Sequence, residues 1–245
     1  MDNLMTKSPP PKATKNPENN NAADRLDITY YTDPLCCWSW ALEQHWLRLR
    51  EERGHAFTFR YVMGGMIPSW ESYNDPLNSV CKPLQMGPMW MHASQITNTP
   101  IDYTLWHTDA PSSSYPSCIA VKCAGLQSAM AEDLYLQRLR RATMQECKNI
   151  AKQSVLIALA KEIATNFPNI LNFEQFENDI KNGNGRECFR NDLQEAAFHK
   201  VGRFPTLAFT NQKSGNGIMI IGYRPYGNLL KVFDLFQSNE TKLQM

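Results

Sequence analysis

Two adjacent cysteines, Cys36 and Cys37, are the residues best suited to covalent chemistry. They lie in the stretch 32–40, which reads TDPLCCWSW. An extended run, Ile28–Tyr31, precedes them, and apolar residues at helical spacing follow from Trp38. A cysteine at such a junction faces free backbone N–H groups and the positive end of a helix dipole, and both favour a thiolate. Cys36 is therefore predicted to be a nucleophile with a lowered pKa.

Ser39 stands where a dithiol site, read as Cys-x-x-Cys from Cys36, would carry its second cysteine. A hydroxyl cannot resolve a mixed disulfide. We therefore predict that Cys36 acts as a single thiol and that Ser39 donates a hydrogen bond to the thiolate. Cys37 is a poor resolving thiol because adjacent cysteines close only a strained ring. The other cysteines carry no motif that marks one of them as a resolving thiol, although a distant one stays open.

The composition argues against several classes of partner. The chain has 245 residues, a 42% hydrophobic fraction and a net charge of +1, from 25 Lys+Arg against 24 Asp+Glu. Without a basic cluster we expect no nucleic acid and no anionic membrane as partners. The longest apolar runs fall far short of the roughly 20 residues that a membrane span requires. The length and the apolar fraction fit one elaborated domain.

The first 26 residues combine Pro9–Pro11 and Asn19–Asn21 with lysines and lack a hydrophobic signal region. They are predicted to be a disordered tail. The seven cysteines are scattered and odd in number, which favours reduced thiols and a cytoplasmic location. The histidines show no paired spacing typical of metal ligands, so no metal site is expected.

A strand, a helix and a second strand surround the cysteines. The strand Asp27–Thr32 ends before an Asp-Pro turn, the helix Trp38–Arg53 stops at Gly54, and alternation predicts a strand over Ala56–Met63. A unit of this length forms a right-handed β-α-β crossover with parallel strands. Cys36 then lies at the carboxyl end of the first strand, where reactive sites collect in open α/β sheets.

The middle of the chain is predicted to be helical. The Met- and Trp-rich stretch Met66–Thr99 is interpreted as a loop with a short buried helix, or alternatively as an adaptable apolar surface near the site. Helical spacing continues from Ser113 almost to Lys200. The expected buried faces are Ile119, Cys123, Leu126 and Met130; Val155, Leu156, Leu159 and Ile163; Phe173, Phe176 and Ile180; and Phe189, Leu193 and Ala197.

Two strands and a helix complete the pattern. Thr206–Thr210 and Gly217–Ile221 flank a Gly- and Asn-containing turn and so predict an antiparallel hairpin. An amphipathic helix over 229–236 follows. The order of elements is therefore β-α-β, a helical block, then β-β-α.

This order resembles the thioredoxin fold with a helical insertion, the arrangement of the DsbA family. Residues 33–40 are similar to the family's Asp-Pro-x-Cys-x-Trp-Cys-Trp pattern, and Phe204-Pro205-Thr206 is similar to its cis-proline loop. Residues 111–116, which read PSSSYP, resemble the start of an insertion helix in many cytosolic DsbA-like proteins. The resemblance covers roughly residues 27–237.

The resemblance implies an α/β, thioredoxin-like fold with a large all-helical insertion. The chain then divides into a disordered tail, 1–26, a thioredoxin-like domain, 27–65 and 201–237, the helical insertion, 66–200, and a C-terminal tail, 238–245.

The resemblance also implies the site. In this family the cis-proline loop faces the nucleophilic cysteine, so Cys36 and Ser39 are the expected catalytic residues and a bulky Phe204 should restrict what reaches them. A cis bond before proline leaves nearby backbone groups free to pair with a peptide or glutathione. The expected substrate-binding residues are Pro34, Cys37, Trp38, Trp40, Phe204, Pro205 and Thr206.

Several functions stay open. We expect a thiol-disulfide oxidoreductase or isomerase that uses Cys36 and mixed disulfides, with a disulfide-bearing protein or glutathione as partner and no tightly bound cofactor. One alternative is a glutathione-dependent transferase or isomerase similar to the kappa class, which generally keeps serine at the Cys36 position. Another is a non-catalytic adaptor that delivers a partner to a protease through the surface 66–91. A scaffold without a redox role is the fourth. The oligomeric state is not predicted.

Overall fold

The computed structural model of the protein describes residues 26–212 and 214–242. The predicted disordered tail lies outside these residues except for Leu26, which belongs to the first strand. None of the helices in the described part of the chain has the length and apolar character that crossing a bilayer requires.

A mixed four-stranded sheet forms the centre of the structure, in the order β2-β1-β3-β4. The strands are β1 (Leu26–Thr32), β2 (Phe57–Met63), β3 (Thr206–Asn211) and β4 (Gly217–Ile221). β1 runs parallel to β2 and antiparallel to β3, and β3 and β4 form an antiparallel hairpin. The predicted β-α-β unit and the predicted hairpin are therefore both confirmed.

The central position of β1 explains its aromatic and β-branched sequence. Successive side chains point to opposite faces of a sheet. Tyr30 on one face and Tyr31 on the other are 0% and 2% exposed, so both faces are covered. Tyr30 lies between Tyr61 of β2 and Leu207 of β3 in the register of the sheet.

Two helices cover the face of the sheet that carries Tyr30. α1 (Cys37–Arg53) buries Leu42, Trp46 and Leu49 and is capped at Gly54 as predicted, before a short 3₁₀ turn, Gly54–Ala56. The C-terminal helix packs beside it through the buried Leu229 and Phe233. That helix continues to Lys242, past residue 238, where the predicted C-terminal tail begins.

The segment between β2 and β3 supplies most of the helices. They are α2 (Met86–Thr97), α3 (Leu105–Thr108), α4 (Tyr115–Gly125), α5 (Ala129–Gln145), α6 (Gln153–Asn166), α7 (Phe173–Asn182) and α8 (Gly185–Phe198), and the C-terminal helix is α9 (Tyr226–Lys242). The four-residue α3 was not predicted. One continuous hydrophobic core joins these helices to the sheet.

The predicted buried face that crosses from α4 into α5 is wrong at its far end. The chain leaves the helix after Gly125, and Ser128 caps the next helix by accepting a hydrogen bond from Ala131 N. Leu126 and Met130 are consequently 45% and 61% exposed. A smaller correction applies to α8, where Ala196 is buried and the predicted Ala197 is exposed.

The structure confirms the simpler interpretation of the Met- and Trp-rich stretch, a loop with a short buried helix. Met86 and Trp90 lie in α2 and are 0% exposed, and Trp90 packs edge-to-face on Trp106 of α3. The residues before α2 form an irregular loop with one isolated bridge, Asp75 to Val80, and a 3₁₀ turn, Pro83–Gln85.

The insertion reaches the thioredoxin-like part from two sides. α8 covers the second face of the sheet beside β2, where Ala196 packs with Tyr31 and Val62. α5 packs against α1 on the first face. The first turn of α1 is thus bordered by the inserted helices.

Candidate functional site

A tight turn presents Cys36 at the start of α1. Cys36 is the N-cap of the helix, with extended backbone, and its N–H donates to Asp33 O at 3.1 Å. The buried Asp33 carboxylate accepts hydrogen bonds from Leu35 N at 2.9 Å and from Met66 N at 2.6 Å. Asp33 therefore fixes the turn and ties it to the loop that follows β2.

The loop before β3 closes over Cys36. The Cys36 thiol donates to the backbone carbonyl of Phe204 at 3.3 Å, and the peptide bond between Phe204 and Pro205 is cis. The ring of Phe204 lies on Gly64, where a Cβ would come within 1.9 Å of the ring. Only a glycine at position 64 leaves room for this ring. The structure thus brings together the two motifs that the sequence analysis placed at the site.

A buried ion cluster fixes the chain just before Gly64. Lys122 of α4 lies 2.8 Å from Glu132 and 3.0 Å from Asp192. Asp192 also accepts a hydrogen bond from Met63 N at 2.7 Å. The end of β2, and with it the surface on which Phe204 rests, is held by helices of the insertion.

Burial raises the pKa of the Cys36 thiol above its ordinary value. The hydroxyl and backbone N–H of Ser39 and the N–H of Trp38 lower it, while the nearby Asp33 carboxylate raises it further. Cys36 is only 3% exposed, so the cost of placing a charge there exceeds the stabilisation from the donors. The predicted lowered pKa is therefore wrong for the closed site, although the predicted donors are in place.

Ser39 lies on the inner side of the first turn of α1. Its side chain is 0% exposed, and its Oγ has no hydrogen-bond partner in the described structure. Tyr30 Oη donates to the Ser39 carbonyl at 3.4 Å. The Ser39 hydroxyl is free to donate once Cys36 carries a charge, which is the state in which its effect on the Cys36 pKa arises.

Pro34 and Cys37 offer little surface to a substrate. Both are buried, and Cys37 belongs to the hydrophobic core with 0% of its surface exposed. Burial raises the pKa of Cys37 well above its ordinary value, and a charge on Cys36 raises it further. All seven cysteines are free thiols.

The two predicted tryptophans take different positions. Trp38 is half-buried and lies edge-to-face with His92 of α2, with a ring distance of 6.2 Å, and 6.4 Å from Tyr223. The Trp38 ring thus packs between α2 and the residue Tyr223 before α9. Trp40 is also half-buried, but its Nε1 donates to Pro100 O at 3.1 Å and ties α1 to the insertion.

Pro205 and Thr206 shape the loop from within. Both are buried, Thr206 Oγ1 donates to Arg203 O at 2.8 Å, and Gly222 N donates to Pro205 O at 2.7 Å. These bonds leave Phe204, half-buried, as the part of the loop that faces Cys36.

The sequence analysis missed a buried ion pair under this turn. Arg140 of α5 donates to the Glu43 carboxylate and to Thr32 Oγ1, and its guanidinium carbon lies 5.5 Å from the centre of the Tyr30 ring. A signal was available, because Arg140 follows Leu136 at the spacing of a buried helix face. In the described residues no cluster of three or more His, Cys, Asp or Glu is arranged to hold a metal ion.

Comparison with known proteins places these features in a family. The family model described as Thioredoxin matches residues 30–231. The chain belongs to this family. Its fold is DsbA-like, as the resemblance implied. A candidate protein disulfide isomerase from Nitrosomonas europaea has a TM-score of 0.71 at 18% identity, covering 88% of this chain and 99% of that chain.

A second solved structure is the cytosolic disulfide reductase DsbM from Pseudomonas aeruginosa with GSH. It has a TM-score of 0.60 at 22% identity and covers 89% of this chain and 100% of that one.

The similar curated proteins carry a different name. ClpXP adapter protein SpxH of Halalkalibacterium halodurans is 26% identical over 210 residues, which cover 85% of this chain and 67% of that protein. SpxH of Bacillus subtilis is 27% identical over 204 residues, with 82% and 64% covered. The chain therefore spans about two thirds of the length of these relatives.

Proposed function

We propose that the protein carries out thiol-disulfide exchange through Cys36 alone, forming mixed disulfides with glutathione or with protein thiols. The observation that carries this proposal is the position of the Cys36 sulfur. It lies between the carbonyl of Phe204 and the donors of the first turn of α1, which are the N–H groups of Trp38 and Ser39 and the Ser39 hydroxyl.

The two sides of the sulfur favour opposite protonation states. The Phe204 carbonyl accepts the thiol proton and favours the neutral form, while the donors of α1 favour the thiolate. A substrate whose backbone N–H pairs with the Phe204 carbonyl removes the acceptor of that proton. Peptide binding and activation of Cys36 are then coupled, and the unoccupied site keeps its thiol protonated and protected.

The proposed exchange balances in two steps. In the first, the Cys36 thiolate attacks the glutathione sulfur of a glutathionylated substrate; the new disulfide forms as the old one breaks, and the leaving thiolate takes up a proton. In the second, a glutathione thiolate attacks the disulfide on Cys36 and regenerates the Cys36 thiolate. The net products are the reduced substrate thiol and oxidised glutathione.

The serine at position 39 favours disulfide exchange with glutathione over net oxidation of a substrate. Because the motif has no second thiol, it cannot form the internal disulfide through which a dithiol enzyme oxidises its substrate. Exchange with glutathione therefore fits this site better. The shared fold with DsbM, whose structure contains GSH, supports glutathione as the co-substrate. The proposal includes a reducing, cytoplasmic location, because all seven thiols are free and Cys81 is exposed.

The proposal is tested with a glutathionylated model peptide and reduced glutathione. We expect the wild-type chain to accelerate release of the peptide thiol and Cys36→Ser to abolish that acceleration. Cys81→Ser is the matched control, since Cys81 is exposed and lies outside the site. Equal acceleration by wild type and Cys36→Ser contradicts the proposal.

A second candidate function is that of a protein adaptor, and the name of the curated SpxH relatives favours it. Within the surface 66–91 proposed from the sequence, Met86 and Trp90 are buried, so the apolar contacts must come from residues such as Leu77 and Leu84, which are 67% and 60% exposed. The test is the rate at which a ClpXP substrate is degraded in a purified system. An acceleration that persists with Cys36→Ser and is lost with Leu77→Asp would support this function. No acceleration would count against it. The kappa-class alternative is less well supported, because Cys36 stands where that class generally keeps a serine.

A further inference from the structure

A second pair of thiols lies outside the Cys36 site, where α4 packs against α8. Cys123 is close to the end of α4 and is 0% exposed. Cys188 lies in the first turns of α8 and is half-buried. Both are free thiols. The function proposed above uses neither of them.

Gly185 brings the two helices into close contact. It is the first residue of α8, and a Cβ at this position would lie 2.6 Å from Ile119 O, 2.7 Å from Cys123 Sγ and 3.0 Å from Cys123 N. Because glycine has no Cβ, α8 can begin directly on the backbone of α4. The Cys123 sulfur therefore lies against the first turn of α8.

Cys188 lies on the same side of that turn. It follows Gly185 by three residues, and side chains at this spacing are neighbours on a helix surface, with about 5–6 Å between their Cβ atoms. A helical side chain leans toward the N-terminus and covers the preceding turn. Cys188 thus leans toward the position against which the Cys123 sulfur lies.

This geometry brings a bond between the two thiols within reach. A disulfide joins Cβ atoms that are about 3.5–4.5 Å apart. Cys123 and Cys188 meet this requirement through rotation of their side chains and a small adjustment at the start of α8, without a new packing of the helices. A charge on Cys188 raises the pKa of Cys123, as expected for neighbouring sulfurs.

The two thiols differ in their access to solvent. Burial raises the pKa of the Cys123 thiol to about 11, although the N–H of Gly185, at the positive end of the α8 dipole, lowers it. Cys123 is therefore protected from reagents in solution. Cys188 is half-buried and can be reached from outside. An oxidant in solution should thus react with Cys188 first.

We propose that Cys123 and Cys188 form a second redox site, a dithiol that oxidised glutathione converts into a disulfide between α4 and α8. The inference goes beyond the proposed function, because it does not involve Cys36. Oxidised glutathione is also the net product of the exchange proposed for Cys36, so the pair would respond to the product of that reaction.

The reaction balances in two steps. In the first, the Cys188 thiolate attacks a sulfur of oxidised glutathione; a mixed disulfide forms as the glutathione disulfide breaks, and the released thiolate takes up a proton. In the second, Cys123 loses its proton to solvent, attacks the Cys188 sulfur and displaces the second glutathione. The two cysteines lose two electrons, and one oxidised glutathione becomes two reduced ones.

The position of the pair gives this disulfide a role in the fold. Lys122, next to Cys123, and Asp192, one turn after Cys188, lie 3.0 Å apart. Asp192 also holds Met63 N at the end of β2. A disulfide beside this ion pair would fix the same two helices, so the oxidised protein should hold the end of β2 more firmly.

The test is peptide mapping of the full chain after incubation with oxidised glutathione under native conditions. Trypsin leaves Cys123 as the one cysteine of the peptide 123–138 and Cys188 as the one cysteine of the peptide 187–190. We expect these two peptides to be recovered as one disulfide-linked species that carries no glutathione and separates on reduction.

Three variants identify the two steps. Cys123→Ser should lose the linked species and accumulate a glutathione adduct on Cys188, because no thiol remains to resolve it. Cys188→Ser should lose the linked species and leave the buried Cys123 unmodified. Cys81→Ser is the matched control, since Cys81 is exposed and should not affect the linked species.

Two results in the wild-type chain would overturn the inference. One is a Cys188 that keeps its glutathione or links to another cysteine. The other is an unmodified Cys188 in a sample whose exposed Cys81 carries glutathione. Both are read from the wild type, so the test does not depend on the folding of a variant.

The same map of Cys36→Ser separates this inference from the proposed function. The linked species should form there as in the wild type, and its loss would overturn the inference. A linked species in a chain without exchange activity would reject the function and retain the second redox site. Exchange activity without the linked species would reject the second site alone.

Discussion

The thiol of Cys36 donates a hydrogen bond to the backbone carbonyl of Phe204, with 3.3 Å between sulfur and oxygen. The two residues are 168 positions apart in the chain. This bond closes the site in the free protein, because the carbonyl stabilises the thiol and the Phe204 loop helps to exclude water from it. The donors of α1 lie at the same sulfur and favour the thiolate. The balance between the Phe204 carbonyl and the donors of α1 determines when Cys36 reacts.

The first prediction concerns the pH dependence of Cys36 in the free protein. Since burial raises its pKa, the thiolate fraction at neutral pH is lower than for a free cysteine, and alkylation should accelerate only above the ordinary value of about 8.5. Alkylation rate against pH, with peptide mapping to separate Cys36 from the exposed Cys81, measures this. A Cys36 midpoint below the ordinary value would contradict the structure.

Phe204→Ala should make Cys36 more reactive. Removal of the ring takes away the contact with Gly64 that holds the loop over Cys36. The sulfur should then become more exposed, and since burial is the largest cause of the raised pKa, that pKa should fall toward its ordinary value. A fall of one unit increases the alkylation rate at neutral pH about tenfold. Phe198→Ala is the matched control, because Phe198 is 81% exposed at the end of α8. Equal rates for wild type and Phe204→Ala would show that the ring does not protect the thiol.

Gly64→Ala tests the surface on which the ring rests. A Cβ at this position comes within 1.9 Å of the Phe204 ring, so the ring must move. We expect a loss of about 1–3 kcal/mol in the free energy of unfolding, together with faster alkylation of Cys36. Gly202→Ala is the control, since a Cβ there meets nothing within 4 Å. A Gly64→Ala protein with wild-type stability and reactivity would be inconsistent with this packing.

Ser39→Ala should raise the pKa of Cys36 further. The hydroxyl of Ser39 is the group that lowers this pKa most, and a hydrogen bond to a charged group contributes about 1.5–3 kcal/mol. The rate of mixed-disulfide formation at neutral pH should therefore fall at least about tenfold. Stability should change little, because Ser39 Oγ has no partner in the resting state. A variant as reactive as the wild type would remove Ser39 from the site.

Much of this site could be predicted from the sequence because its signals are local. The Asp-Pro turn, the helix from Trp38 and the alternation before Gly64 place Cys36 at the carboxyl end of β1. The handedness of β-α-β units then leaves few topologies. The resemblance of the loop at Phe204 to a cis-proline loop added its position opposite Cys36.

The remaining features depend on contacts between distant parts of the chain. The burial that raises the Cys36 pKa arises partly from the Phe204 loop, and no local pattern encodes that contact. The ion pair of Glu43 and Arg140 joins residues 97 positions apart, on helices whose packing the sequence does not specify. The break between α4 and α5 was missed because apolar residues continue at helical spacing across Gly125 and Ser128, the two residues that mark it.

The central claim is that Cys36 reacts as a single thiol that is activated when a peptide disulfide binds. Intact-mass analysis after incubation with oxidised glutathione tests this claim most directly. The account predicts one adduct that maps to Cys36, is removed by reduced glutathione and is absent from Cys36→Ser. Oxidised glutathione should modify Cys36 in preference to the exposed Cys81. A small alkylating reagent, which has no peptide backbone, should not show this preference. An unmodified Cys36 beside a modified Cys81 would contradict the account.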